Sequence, residues 1–200
     1  MGILVFDDVE ELDFVGPWEV FGVAGRIFPG SFSLDLLSVR AAKVRARYGL
    51  SIDGATALHD AGYLDVLVVP GGAGARQVMK DSSLLAEIRS RHRAGTLVAS
   101  VCTGALVLAA AGLLEGNRAT THWTALDELR SFPGVHVEHE RVIDLGQVVT
   151  SAGISSGIDM ALHLVARFLG PERAEEVAHR MEYEPWASLS AGKRSARDVP

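Results

Sequence analysis

Apolar runs of strand length recur along the chain, at residues 3–6, 32–39, 66–69 and 97–101, with helix-like segments between them. Their near-continuous apolarity is that of strands buried on both faces, as in a mostly parallel sheet covered by helices. Residues 16–24 carry apolar positions at helical spacing, residues 81–94 predict a helix with Asp81 or Ser82 as N-cap, and residues 103–114 predict a third, very apolar helix. Further on, short pieces at 136–139, 141–144 and 147–150 surround the turn signal Leu145-Gly146 and predict a small antiparallel β-ribbon beside the main sheet. Residues 154–169 read as a long amphipathic helix ended by Gly170-Pro171, and 172–183 as the last helix. This alternation assigns the α/β class. A sheet of order 2-1-3-4 would bring the loops after its first, third and fourth strands together. One domain is expected over residues 1–185, followed by a polar tail at 186–200.

A chain of 200 residues is long enough for one sizeable core, burying roughly 70% of its unfolded surface. The balance of 19 Lys and Arg against 25 Asp and Glu, a net charge of -6, argues against a nucleic-acid surface. No stretch approaches the ~18 uninterrupted apolar residues of a membrane span, and acidic residues at Asp7 and Asp8 do not fit a signal peptide. A cytoplasmic protein with no nucleic-acid or membrane partner is expected. Arg40, Lys43, Arg45 and Arg47 alternate, as on the solvated side of a hairpin over 40–48. None of the seven histidines makes a His-x-x-x-His pair, and His136 and His139 should face opposite ways from a strand, so neither a metal nor a cofactor is expected. A single cysteine, Cys102, leaves no partner for an intramolecular disulfide and too few thiolates for a structural zinc site.

That thiol sits where a β-branched strand meets a small-residue helix, the mechanics of a nucleophile elbow without the G-x-S-x-G sequence. A sulfur at a helix start faces unpaired N–H groups and the positive end of the dipole, so a lowered pKa is expected. After the strand at 66–69 comes Pro70-Gly71-Gly72-Ala73-Gly74, whose amides would suit an oxyanion hole. After the first strand, an acidic loop over 7–13 precedes a helix opened by Gly16-Pro17. Most of its carboxylates should be solvated. Asp13 differs, because Leu12 and Phe14 flank it, and desolvation would raise its pKa.

Four segments together, SVCTGALVLAAAGLLEGNRATTHW (100–123), VVPGGAG (68–74), LDFVGPWEVF (12–21) and TSAGISSGIDMALHLVA (150–166), resemble the DJ-1/PfpI superfamily, and within it the isocyanide hydratase group. The resemblance implies a flavodoxin-like three-layer sandwich, a homodimer, and a reactive cysteine beside an acid. Residue by residue, Cys102 matches the nucleophile, Asp13 the acid, Thr103 a hydroxyl contributing to the site, and Gly71 and Gly72 the glycines that face the thiolate. Members read as peptidases or deglycases carry Glu at the acid position, and the peptidase-like ones have His directly after the Cys; Asp13 and Thr103 stand there in this chain. Related transcription factors append a helix-turn-helix module, and none is expected after the last helix of this chain. His122 is expected behind the reacting groups or in a structural role. Phe14, Trp18, Trp123 and Ile154 are candidate walls for a small-molecule substrate. The implied reaction is hydration of an isocyanide to an N-substituted formamide through a thioimidate. Alternatives are another small-molecule Cys hydrolase or glyoxalase-type reaction of the superfamily, or a sensor using an oxidisable Cys102.

Overall fold

The computed structural model describes residues 1–39 and 43–184. The expected tail at 186–200, and Arg40 of the basic stretch, lie outside the described residues. In chain order the elements are β1 (Gly2–Val5), α1 (Glu11–Ile27), β2 (Asp35–Ser38), β3 (Val44–Arg45), β4 (Ser51–Ile52), β5 (Thr56–Ala57), β6 (Val66–Val69), α2 (Ala75–Val78), α3 (Ser82–Arg93) and β7 (Leu97–Val101). There follow α4 (Gly104–Ala110), β8 (Arg118–Ala119), α5 (Leu126–Arg130), β9 (His136–Val137), β10 (Val142–Asp144), β11 (Val148–Ser151), α6 (Ser156–Leu169) and α7 (Pro171–Arg180).

Seven strands form the main sheet in the order β10-β11-β7-β6-β1-β2-β5, and only the β10–β11 edge is antiparallel. The expected 2-1-3-4 arrangement is therefore present as β2-β1-β6-β7. Helices α1, α6 and α7 pack together as one layer, and α2, α3, α4 and α5 as another. Ile3, Leu4, Leu67, Val68, Val98 and Ala99 on the central strands are fully buried, which explains their lack of polar alternation.

Three expectations change. Helix α1 starts at Glu11, well before Gly16, and Pro17 lies inside it. Glu11 and Asp13 favour that early start by placing negative charge at the positive end of the helix. The antiparallel pair from 141–150 does form, but β11 also pairs with β7, so it extends the main sheet instead of lying beside it. Its neighbour β9 pairs in parallel with β8. The separate antiparallel ribbon is the β3–β4 hairpin. Among the described residues, no helix is long and apolar enough to cross a membrane.

Candidate active site

The end of β7 delivers Cys102 in a left-handed conformation, φ 57°, which a non-glycine residue holds only when its surroundings over-determine it. They do so on both sides of the residue. Its N–H donates to the carbonyls of Ser151 and Ala152 at 3.2 and 3.1 Å, and its own carbonyl accepts from the Thr121 hydroxyl at 2.8 Å. Thr121 stands in the 100–123 segment that carries the resemblance, but nothing in the sequence signalled this contact.

Asp13 is completely buried in the first turn of α1. Its Oδ2 accepts from the Gly71 N–H at 3.0 Å, while its Oδ1 has no hydrogen-bond partner among the described residues. Burial raises its pKa to about 7; the Gly71 N–H opposes the rise, Glu10's charge adds to it, and the Cys102 side chain opposes it. Glu10 is itself buried, contrary to the expected solvation of the loop, and lies 3.5 Å from Arg47 Nε. Asp7 and Glu11 accept from the backbone N–H groups of Arg45 and Tyr48, so much of the acidic loop binds the β3–β4 hairpin.

Thr103 meets the glycine loop from the other side. Its Oγ1 accepts from the Gly72 N–H at 3.0 Å and donates to the Gly72 carbonyl at 3.1 Å. Both amides expected to form an oxyanion hole are thus already engaged: Gly71 holds Asp13, and Gly72 holds Thr103. Only glycine fits at position 71, because a Cβ there would lie 2.5 Å from both the N and Oγ1 of Thr103 and 2.9 Å from Asp13 Oδ2.

The expected lowering of the Cys102 pKa is overturned. Burial pushes the thiol up to about 12, and the Asp13 charge reinforces it; N–H groups of Thr103 and Ile154 and the Thr103 hydroxyl oppose the rise without reversing it. Position at a helix start therefore counts for less than loss of solvent. The donors facing the sulfur come from Thr103 and Ile154, not from the glycines. Ile154 was expected only as a wall residue.

A cavity of about 550 Å³ adjoins the elbow, with Thr121, His122, Trp123 and Ile154 among its walls. Phe14 and Trp18 do not line it: Phe14 is buried, and Trp18 packs half-buried against the core. His122 bonds neither Cys102 nor Asp13. Its Nδ1 accepts from the Thr124 N–H at 3.3 Å and lies 2.8 Å from the Thr124 hydroxyl, capping the turn at Trp123–Ala125. Burial lowers its pKa, with Glu10's charge opposing. Among the described residues, no group of three or more His, Cys, Asp and Glu is placed to hold a metal ion.

The chain is 38% identical over 192 residues to an isonitrile hydratase of Pseudomonas putida, covering 96% of this chain and 82% of that protein. It is 34% identical over 170 residues to an HTH-type transcriptional regulator, CdhR, of Pseudomonas aeruginosa, covering 84% of this chain and 50% of the regulator. Among solved structures, a ThiJ/PfpI family protein from Pseudomonas syringae superimposes with a TM-score of 0.82 at 30% identity, covering 96% of this chain and 78% of that one. The model of the DJ-1/PfpI family matches residues 1–167, which include the elbow, the acid and the glycine loop, and the chain belongs to that family.

Proposed function

We propose that this chain hydrates an isocyanide to an N-substituted formamide, with Cys102 as nucleophile and Asp13 as proton carrier. One observation carries the reading: a thiol kept neutral by burial stands beside a carboxyl poised near neutrality, in a chain similar along most of its length to an isonitrile hydratase. Ionised Asp13 takes the thiol proton as sulfur attacks the terminal isocyanide carbon, so no free thiolate has to accumulate. Asp13 returns that proton to the same carbon, giving the thioimidate R–N=CH–S. A water then adds to this carbon, passing its proton through Asp13 to the nitrogen. Collapse of the hydroxyl to a carbonyl breaks the C–S bond, and its proton passes through Asp13 back to sulfur. The sum is R–NC plus water giving R–NH–CHO.

The remaining groups have supporting roles. The N–H groups of Thr103 and Ile154 stabilise charge that develops on sulfur. The Thr103 hydroxyl has one hydrogen and two acceptors, the Gly72 carbonyl and the sulfur. Gly71 and Gly72 act by positioning Asp13 and Thr103.

Incubation with p-nitrophenyl isocyanide should yield the corresponding formamide by mass, and Cys102→Ala should reduce the rate to background. No product from the wild type, or turnover that survives Cys102→Ala, defeats the reading. The second reading, sensing by oxidation of Cys102, draws its support from a readily formed thiolate, and burial of the thiol works against it. A homodimer is part of the proposal. Leu12, Val15, Tyr48 and Leu50 are exposed on the start of α1 and on the hairpin tied to it, which supports a covered face there. A reducing compartment such as the cytoplasm suits a catalytic thiol.

A further inference from the structure

The cavity beside the elbow has features that the chemistry at Cys102 leaves unused. Ile154 and Thr121 connect the two: the Ile154 N–H faces the sulfur, the Thr121 hydroxyl holds the Cys102 carbonyl, and both residues line the cavity. Its volume of about 550 Å³ lies within the roughly 300–1,000 Å³ of small-molecule sites. Asp13 approaches the elbow from the Gly71 side. Cys102 and Asp13 do not themselves line the cavity, which is the space next to the elbow that Thr121 and Ile154 join to it.

The wall of the cavity is aromatic and built. Trp123 is 75% exposed, a large apolar ring left uncovered, and its centroid lies 5.7 Å from that of His122. The imidazole is fixed from two directions. Thr124 holds its Nδ1, and the ring occupies the space above Gly153 so closely that a Cβ there would collide with Cδ2 and Cγ. In the tautomer whose Nδ1 accepts from the Thr124 N–H, the proton is on Nε2. No described residue accepts from that Nε2. In that tautomer the cavity wall carries a flat ring for stacking and an N–H donor held over Gly153, itself a lining residue.

We infer that this cavity is the substituent subsite, that Trp123 selects a planar aromatic group, and that His122 donates from Nε2 to a hydrogen-bond acceptor carried by that group. The inference rests on the proposed hydration, since the isocyanide substituent is the group in question. Binding is accordingly measured apart from turnover, by calorimetry on Cys102→Ser protein with N-phenylformamide, N-cyclohexylformamide and the 3- and 4-acetylphenyl formamides.

Phenyl should bind about tenfold tighter than cyclohexyl, the upper end of what an aromatic pair contributes, and adding Trp123→Ala should shrink that ratio to about twofold or less. One acetyl isomer should gain at least about threefold over phenyl, a modest hydrogen-bond increment. That gain should vanish with His122→Asn, which keeps an acceptor for the Thr124 N–H. Equal affinities for phenyl and cyclohexyl, or a preference that survives Trp123→Ala, overturn the aromatic subsite. An acetyl gain that survives His122→Asn overturns the donor role. If wild-type protein converts no isocyanide yet Cys102→Ser shows the Trp123-dependent preference, the hydration reading falls and the aromatic site stands. If isocyanides are hydrated but no preference is seen, the subsite alone falls.

Discussion

Asp13 has no solvent exposure, and among the described residues its Oδ1 has no hydrogen-bond partner. Its pKa of about 7, against an ordinary 3.8, makes ionisation a cost to folding. A raised carboxyl pKa means that the folded state binds a proton which the unfolded state has released. Stability therefore falls as pH rises from about 4 to about 7, by an upper figure of about 4 kcal/mol. Asp13→Asn removes this cost and keeps an oxygen for the Gly71 N–H. Its melting temperature should exceed the wild type's by several degrees at pH 8 and match it near pH 4, while formamide production is lost. In the proposed cycle the ionised form of Asp13 starts the reaction, so kcat/KM should rise with pH and level off above about 7. Glu10 adds to the elevation through its charge. Glu10→Gln should shift the rise to lower pH, and an unmoved profile would remove Glu10 from the tuning. Cys102 and Asp13 were legible as candidates from residue type and neighbours, and Thr103 from the family resemblance. The direction of the thiol's pKa was not, because the groups that bury it come from other parts of the chain.

Among the elements, the longer strands and the elbow could be read from local pattern, whereas β4, β5 and the start of α1 could not. Gly16-Pro17 looks like a helix opening, yet the acidic turn before it is already helical and puts Asp13 inside the first turn. The start of α6 is equally consequential, because Ile154 just before it turns its N–H to the sulfur. Its approach depends on Gly157: a Cβ there would lie 3.1 and 3.2 Å from the Val101 methyls and 3.4 Å from Pro17 Cδ. Gly157→Ala should force α6 outward and destabilise the fold by about 1–3 kcal/mol, as overpacking generally does. Thermal melting checks the stability loss, and kcat should fall with it as the Ile154 N–H moves off the sulfur. A fall in stability with unchanged kcat would show that this donor is dispensable.

At the scale of the whole molecule, strand order gathers the site. With β1, β6 and β7 adjacent, the segments after them meet at one edge of the sheet, and Asp13, Gly71 and Cys102 converge across long stretches of chain. The same loop cluster carries the exposed residues of α1 and the hairpin. A dimer covering that face should dissociate when Val15→Glu and Leu50→Glu are combined, each placing a charge in an apolar contact. Sedimentation velocity should show a wild-type dimer and a double-variant monomer; a monomeric wild type would refute the dimer.

The sequence by itself determined the α/β alternation, the buried parallel strands, the lone thiol at a strand-to-helix turn and the carboxyl between two apolar neighbours. These are properties of local periodicity and residue type, which neighbouring positions encode. Only the tertiary structure decided that the glycine amides are engaged by Asp13 and Thr103, that Ile154 supplies a donor, and that the thiol is raised. Hydrogen-bond partners and loss of solvent are set by segments far apart in the chain. The antiparallel pair of β10 and β11 shows the same division: its turn was visible in sequence, but its place on the sheet depends on the free edge of β7.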